Sequence, residues 1–114
     1  MPFLIIHTNR DLDEPDITEL LLECSQLTAA TLGKPESYVM TQFKGGQNMT
    51  FAGSSEPLAY LELKSIGLPE SETPSISASL CQFIEDKLGI PPQRIYIEFS
   101  DASRKMWGWN GATF

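Results

Sequence analysis

The sequence predicts an α/β fold: two pseudo-symmetric β-α-β units sharing a four-stranded sheet, with two helices on one face. Three observations carry that prediction. Short apolar, β-branched runs alternate with longer stretches of helical periodicity. Each helical stretch ends in a similar sequence, Leu32-Gly33-Lys34-Pro35 and Leu88-Gly89-Ile90-Pro91, at an offset of 56 residues. Finally, 114 residues, 41% hydrophobic and 20% charged, suit one folded domain rather than two independent ones.

In chain order, residues 2–8 are a short apolar run that reads as a buried strand. After an acidic loop, Asp16 and Glu19 have the spacing of an N-cap and N3 pair. Ile17, Leu20, Leu21, Cys24, Leu27 and Ala30 then trace one helical face. Gly33 follows as a left-handed terminator and Pro35 forbids continuation. Residues 38–43 read as a second strand. The second unit repeats the order: a strand over 58–63, Thr73-Pro74 as cap and first turn, and a buried stripe of Ile76, Leu80, Phe83, Ile84 and Leu88. Gly89 ends that helix, and 94–99 is the last strand.

At the offset of 56, Val39, Thr41 and Phe43 fall on Ile95, Ile97 and Phe99. Ile17, Leu20, Cys24 and Leu27 fall on Thr73, Ile76, Leu80 and Phe83, and the run 3–7 on 59–63. The chain thus reads as a single domain, 1–114, built from repeated units 1–57 and 58–114. Leu4, Ile6, Leu61 and Leu63 are apolar, and a helix layer covers only one face of a sheet. The second face is therefore expected to meet another subunit.

The net charge is −7, with −5 in residues 1–57 and −2 in the remainder. Nucleic-acid binding needs a basic stripe, and Arg104-Lys105 is the only basic cluster. No segment approaches the roughly 20 apolar residues of a membrane span. No signal peptide is legible, so the mature chain is expected to begin close to residue 1. Cys24 and Cys81 form no CxxC and no zinc spacing; they suit a reducing, cytoplasmic compartment. No phosphate-cradling, zinc-protease or EF-hand pattern is present, and no cofactor is expected. His7 stands alone in the first strand, where the ordinary reading is a polar residue on a strand face.

One feature at the start of the chain carries chemistry. Met1-Pro2 favours removal of the methionine, because the second residue is small. The proline then becomes a secondary amine heading a buried strand. An ordinary α-amino group titrates near about 8. Desolvation and a nearby cation lower that value and leave a neutral amine able to act as a general base. Proline after methionine is also common without any such role.

Taken together, Met1-Pro2, Thr8-Asn9, Gly33-Lys34-Pro35, Phe51-Ala52-Gly53-Ser54-Ser55-Glu56-Pro57, Ser65-Ile66-Gly67, Arg94-Ile95-Tyr96-Ile97 and Gly108-Trp109-Asn110-Gly111-Ala112-Thr113-Phe114 resemble the macrophage migration inhibitory factor family of the tautomerase superfamily. The resemblance runs from end to end. It implies a homotrimer with sheets facing inward, helices outside, and pockets between subunits. It also implies keto–enol tautomerisation of phenylpyruvate and hydroxyphenylpyruvate, small aromatic 2-oxo acids, with side activity on dopachrome esters and no cofactor.

Carried over by position, Pro2 is the general base. Lys34 holds the substrate carboxylate and keeps the proline amine neutral, and the Ile66 amide hydrogen-bonds the substrate. Tyr96 enters from the neighbouring subunit, and Tyr38, Trp109 and Phe114 line an aromatic pocket. Lys34 also reads as a cation favoured at a helix C-terminus, and Tyr96 and Trp109 as ordinary packing. Lys64 stands where the family commonly has histidine and would add a second cation.

Two departures bear on substrate choice. Glu98 replaces an asparagine at the phenol end, and Trp107 replaces a smaller residue beside the pocket mouth. Bulky dopachrome esters are expected to turn over more slowly than phenylpyruvate. Leu58 and Leu61 occupy the positions of the family's CxxC, so thiol–disulfide activity of that kind is not expected. The alternative function is a cytokine-like, receptor-binding protein with a vestigial pocket, which would require secretion without a signal peptide. A ferredoxin-like RNA-binding domain shares the outline but fails on charge and aromatic pattern.

Overall fold

A computed structural model describes residues 1–114. Strand β1 (Phe3–Thr8) is central, pairing in parallel with β2 (Met40–Lys44) and antiparallel with β3 (Ala59–Ile66). Strand β4 (Ile95–Ala102) runs parallel to β3, completing a four-stranded sheet in the order β2-β1-β3-β4. Helix α1 (Glu14–Leu32) connects β1 to β2, and α2 (Thr73–Leu88) connects β3 to β4. These are the two β-α-β units, and they meet at the antiparallel β1–β3 pair.

Extended chains point alternate side chains to opposite faces. Leu4 and Ile6 of β1, with Leu61 and Leu63 of β3, are almost wholly buried in one core with Leu20, Cys24, Ile76, Leu80 and Ile84 of the helices. Both helices therefore lie on one face of the sheet. Leu4, Ile6, Leu61 and Leu63 all belong to that face, so they give no reason for a cover on the other. The open face is mixed: Phe3, Ile5 and Met40 alternate onto it beside a set of polar groups. His7 Nε2 lies 2.6 Å from Glu62 Oε2, Lys64 Nζ lies 3.8 Å from Glu62 Oε1, and Tyr60 donates to Glu98 Oε1 at 2.5 Å. The His7 and Tyr60 rings stack at 5.2 Å.

Helix α1 starts earlier than the Asp16 cap would give. Its cap is Asp13, whose carbonyl accepts from the Ile17 amide at 3.0 Å, and Pro15 sits in the first turn. A proline there has its φ preset and needs no partner for a missing N–H. Asp16 is left in the first turn, where a negative charge favours the helix dipole. On the predicted face, Leu20 and Cys24 are buried, Ala30 is exposed, and Thr28 is buried in its place. Thr73 is likewise the first residue of α2 rather than its cap, which is Glu72.

The strands also differ from expectation. Residues 36–38 form a 3-10 turn, so β2 begins at Met40 instead of Tyr38. Strands β3 and β4 run on to Ile66 and Ala102, held in parallel register through Lys64–Ser100, Ser65–Asp101 and Ile66–Ala102. The terminators match: Gly33 and Gly89 both adopt left-handed geometry, at φ +63° and +69°.

At the offset of 56, Leu20 and Ile76, Cys24 and Leu80, and Thr28 and Ile84 are all buried pairs. The first strands break this rule. Leu4 faces the helices, but Tyr60, 56 positions on, faces the open side. The register sets Leu4 against Leu63 and Ile6 against Leu61, since a one-residue slip would reverse every side chain.

Candidate active site

The start of β1 and the end of the chain meet. The Pro2 carbonyl accepts from the Met40 amide at 3.0 Å, which ties the N-terminus to β2, and the Pro2 side chain is fully buried. It lies at a cleft of about 310 Å³ whose walls include Tyr38, Met40, Trp107, Trp109 and Phe114. A small hairpin delivers the last of these: β5 (Gly108–Trp109) pairs antiparallel with β6 (Ala112–Thr113). Asn110 and Gly111 form its turn at φ +52° and +76°, a left-handed pair that Asn-Gly adopts readily.

Three rings result from this arrangement. Trp109 and Phe114 stack at 5.4 Å, and Tyr38 meets them edge-on at 5.4 and 5.9 Å. Such edge-to-face and stacked contacts fix ring positions beyond simple burial. Trp107 lines the same cleft.

Lys34 follows the Gly33 terminator, its amide bonding the Ala29 carbonyl at 3.0 Å. That geometry turns the side chain back across the sheet, where Nζ donates to the Ile66 carbonyl at 3.3 Å. Ile66 ends β3 and is buried. The electrostatic reach of Lys34 is visible at the terminus. The Met1 ammonium titrates below its usual 8.0, first because burial desolvates it and second because Lys34 repels it. Both effects favour a neutral amine.

Within one chain, Pro2, Tyr38, Trp107, Trp109 and Phe114 are thus brought together, with Lys34 and Ile66 joined beside them. Tyr96 and Glu98 are not part of that cleft. Tyr96 is 65% exposed and packs on Phe51 at 4.7 Å, beside a second cleft of about 270 Å³ that also includes Met49 and Tyr60. Glu98 lies on the open face as the acceptor for Tyr60, whose hydroxyl is pushed up to about 12 by that carboxylate. Lys64 pairs across from Phe3 in the β1–β3 register, but its ammonium lies toward Glu62.

The thiols are not poised as nucleophiles. Burial pushes Cys24 up to about 12 and raises Cys81 as well. Two contributors were not read from the sequence. In the sequence Met40 reads only as part of a strand, yet its outward alternation puts it on the cleft. Arg94 was quoted only as part of a motif. A half-buried arginine donating to Phe51, Ser54, Glu56 and Pro57 carbonyls organises the loop opposite.

The family model described as macrophage migration inhibitory factor (MIF) matches residues 1–114. Macrophage migration inhibitory factor of Meriones unguiculatus is 40% identical over 116 residues, covering 100% of this chain and 99% of that protein. The crystal structure of the macrophage migration inhibitory factor homologue from Prochlorococcus marinus is similar at TM-score 0.92 and 47% identity, covering 98% of both chains. That of the macrophage migration inhibitory factor from Trichinella spiralis reaches 0.90 at 36% identity, over 98% of this chain and 99% of the other. Likeness in sequence and in fold over the full length leads to one conclusion: the chain belongs to the macrophage migration inhibitory factor family, in the tautomerase superfamily.

Proposed function

We propose that the chain is a phenylpyruvate-type keto–enol tautomerase whose general base is the amine of Pro2, freed by removal of Met1. The observation that carries this reading is a fully buried Pro2 at an aromatic cleft, with the Lys34 cation close enough to act on the amine of the adjoining Met1. The neutral amine takes a proton from the carbon beside the ketone, giving a prolinium and an enolate. A proton returned to the enolate oxygen gives the enol, so the reaction is an isomerisation that consumes nothing.

An enolate at neutral pH needs positive charge or donors close by. A chain of net charge −7 supplies an unfavourable background for an anionic 2-oxo acid, and Lys34 is the local exception. Its ammonium holds the carboxylate, and the Ile66 amide adds a hydrogen bond. The rings of Tyr38, Trp109 and Phe114 take the aromatic end. The chemistry is acid–base throughout and requires no cofactor.

Tyr96 and Glu98 complete the site from a neighbouring subunit in a homotrimer. The exposure of Tyr96 and its separation from the cleft of its own chain support that arrangement. Glu98 then accepts a phenolic hydroxyl, and Lys64 adds positive charge at the rim.

The test begins with hydroxyphenylpyruvate enolisation by the wild-type protein; an inactive protein that nevertheless binds a cell-surface receptor supports the cytokine-like reading instead. For Lys34→Ala the expected sign is fixed. The base works deprotonated, so activity rises with pH through the amine pKa, and a cation held beside that amine lowers it. Removing Lys34 moves that rising limb to higher pH and raises KM roughly tenfold or more through loss of a charged hydrogen bond. An unmoved pH–rate profile contradicts the role of Lys34. With Trp107 in the cleft wall, a dopachrome ester is expected to show a lower kcat/KM than phenylpyruvate, and equal or faster turnover refutes that narrowing.

A further inference from the structure

Arg94 is a half-buried cation with no carboxylate within ion-pair distance. Four of its five N–H donors are spent on one loop. Nε donates to the Pro57 carbonyl at 3.0 Å, Nη1 to Phe51 at 3.1 Å, and Nη2 to Ser54 and Glu56 at 3.1 and 3.0 Å. The planar fork of a guanidinium can serve four carbonyls at once; an ammonium cannot reproduce that geometry.

The loop itself is a tight turn under strain. Phe51 and Ser54 exchange backbone hydrogen bonds at 2.9 and 3.0 Å, with Ala52 at φ +53° and Gly53 at φ +72° between them. A residue with a Cβ rarely takes that conformation, and it persists where its surroundings over-determine it. Asn9 holds the far side, donating to the Ser55 carbonyl at 2.9 Å and accepting from the Leu58 amide at 3.0 Å. What this construction places is Phe51. Its ring lies under the Arg94 guanidinium at 5.4 Å and packs tilted against the Tyr96 ring at 4.7 Å.

We propose that Arg94 is a positioning residue for Tyr96: through the 51–57 loop and the Phe51 ring it fixes the tyrosine that one subunit presents to the next. This inference rests on the tautomerase reading above for the use to which Tyr96 is put, not for the clamp. Arg94 stands two residues before Tyr96, so one end of the clamp and the ring it serves share a rigid strand start.

Two measurements on the intact protein test it. In a kinetic cycle, Arg94→Lys raises KM for hydroxyphenylpyruvate about tenfold with a smaller change in kcat. The rising pH limb stays in place, since Pro2 and Lys34 are untouched. In a Tyr96→Ala background the same substitution has no further effect, because residues acting through one another are not additive. Additive effects overturn the proposal. Independently of any activity, the Tyr96 ring resonances in aromatic 13C NMR are expected to broaden or shift in Arg94→Lys; unchanged resonances also overturn it. A wild-type protein without tautomerase activity defeats the functional reading alone, and the NMR result still decides whether Arg94 holds Tyr96. Should Arg94→Lys fail to fold, Phe51→Leu removes the intermediate ring and is judged by the same two outcomes.

Discussion

A chain that keeps Met1, so that Pro2 is locked in a peptide bond, is expected to lose hydroxyphenylpyruvate enolisation by about 10²–10⁴-fold, the usual contribution of a positioned general base. An amide nitrogen has no basic lone pair, and the Met1 amine, though also at the cleft and lowered by burial and Lys34, stands one residue before the position Pro2 fills. Tyr38 is a phenol, Glu62 lies on the open face of the sheet, and the Glu98 that a neighbouring subunit is proposed to supply sits at the phenol end of the substrate, away from the carbon that loses its proton. Pro2→Gly with a free terminus is expected to fall between the two. It keeps an amine but loses the ring that fills the buried position and fixes φ near the start of β1. Mass spectrometry of each sample establishes which terminus is present, and initial rates then rank the three forms. Equal rates for all three remove Pro2 from the mechanism.

The largest effect on stability is expected at Leu61. It is 0% exposed, sits in central strand β3 opposite Ile6, and points into the core shared by both helices. Leu61→Ala removes buried contacts and leaves a cavity, at a cost of about 2–5 kcal/mol. Against a typical total of about 5–15 kcal/mol this is a large fraction, and it corresponds to a Tm fall of more than about 10 °C in a domain of this size. Leu22, equally apolar but 59% exposed on α1, is the control. Leu22→Ala is expected to change stability by no more than about 0.5 kcal/mol. Thermal scans of the two variants at one protein concentration make the comparison, and similar losses at both sites contradict the assignment of Leu61 to the core.

What the sequence made legible follows from which residues have few alternatives. Gly33 and Gly89 marked the helix ends because glycine reaches φ near +65° without a Cβ penalty. The start of α1 was not legible: Asp16 and Glu19 have the capping spacing, but the helix begins earlier, with Pro15 in its first turn and an N-cap, Asp13, whose side chain makes no capping bond. From sequence alone strands β3 and β4 stop short, because Lys64, Ser65, Ser100 and Asp101 look like loop residues until they are seen paired in register. The offset of 56 located matching helix faces but not strand parity, which a single residue inverts. At the site, Pro2 was legible as chemistry, and the aromatic wall only through family resemblance. The loop clamp of Arg94 was not legible, because its partners are main-chain carbonyls that leave no trace in side-chain composition.

The strand order β2-β1-β3-β4 has one more consequence. Strands β2 and β4 are flanks, each with a row of amides and carbonyls that no strand of the same chain completes. Such rows are templates on which other chains add and fibres begin. Strand β4 is the greater hazard at eight residues, and it carries Glu98 and Asp101; β2 ends in Lys44. Charges placed there act as gatekeepers against indiscriminate stacking. In the proposed homotrimer, subunits that paired along these flanks would turn the same unfinished bonding into glue, and assembly would itself suppress aggregation.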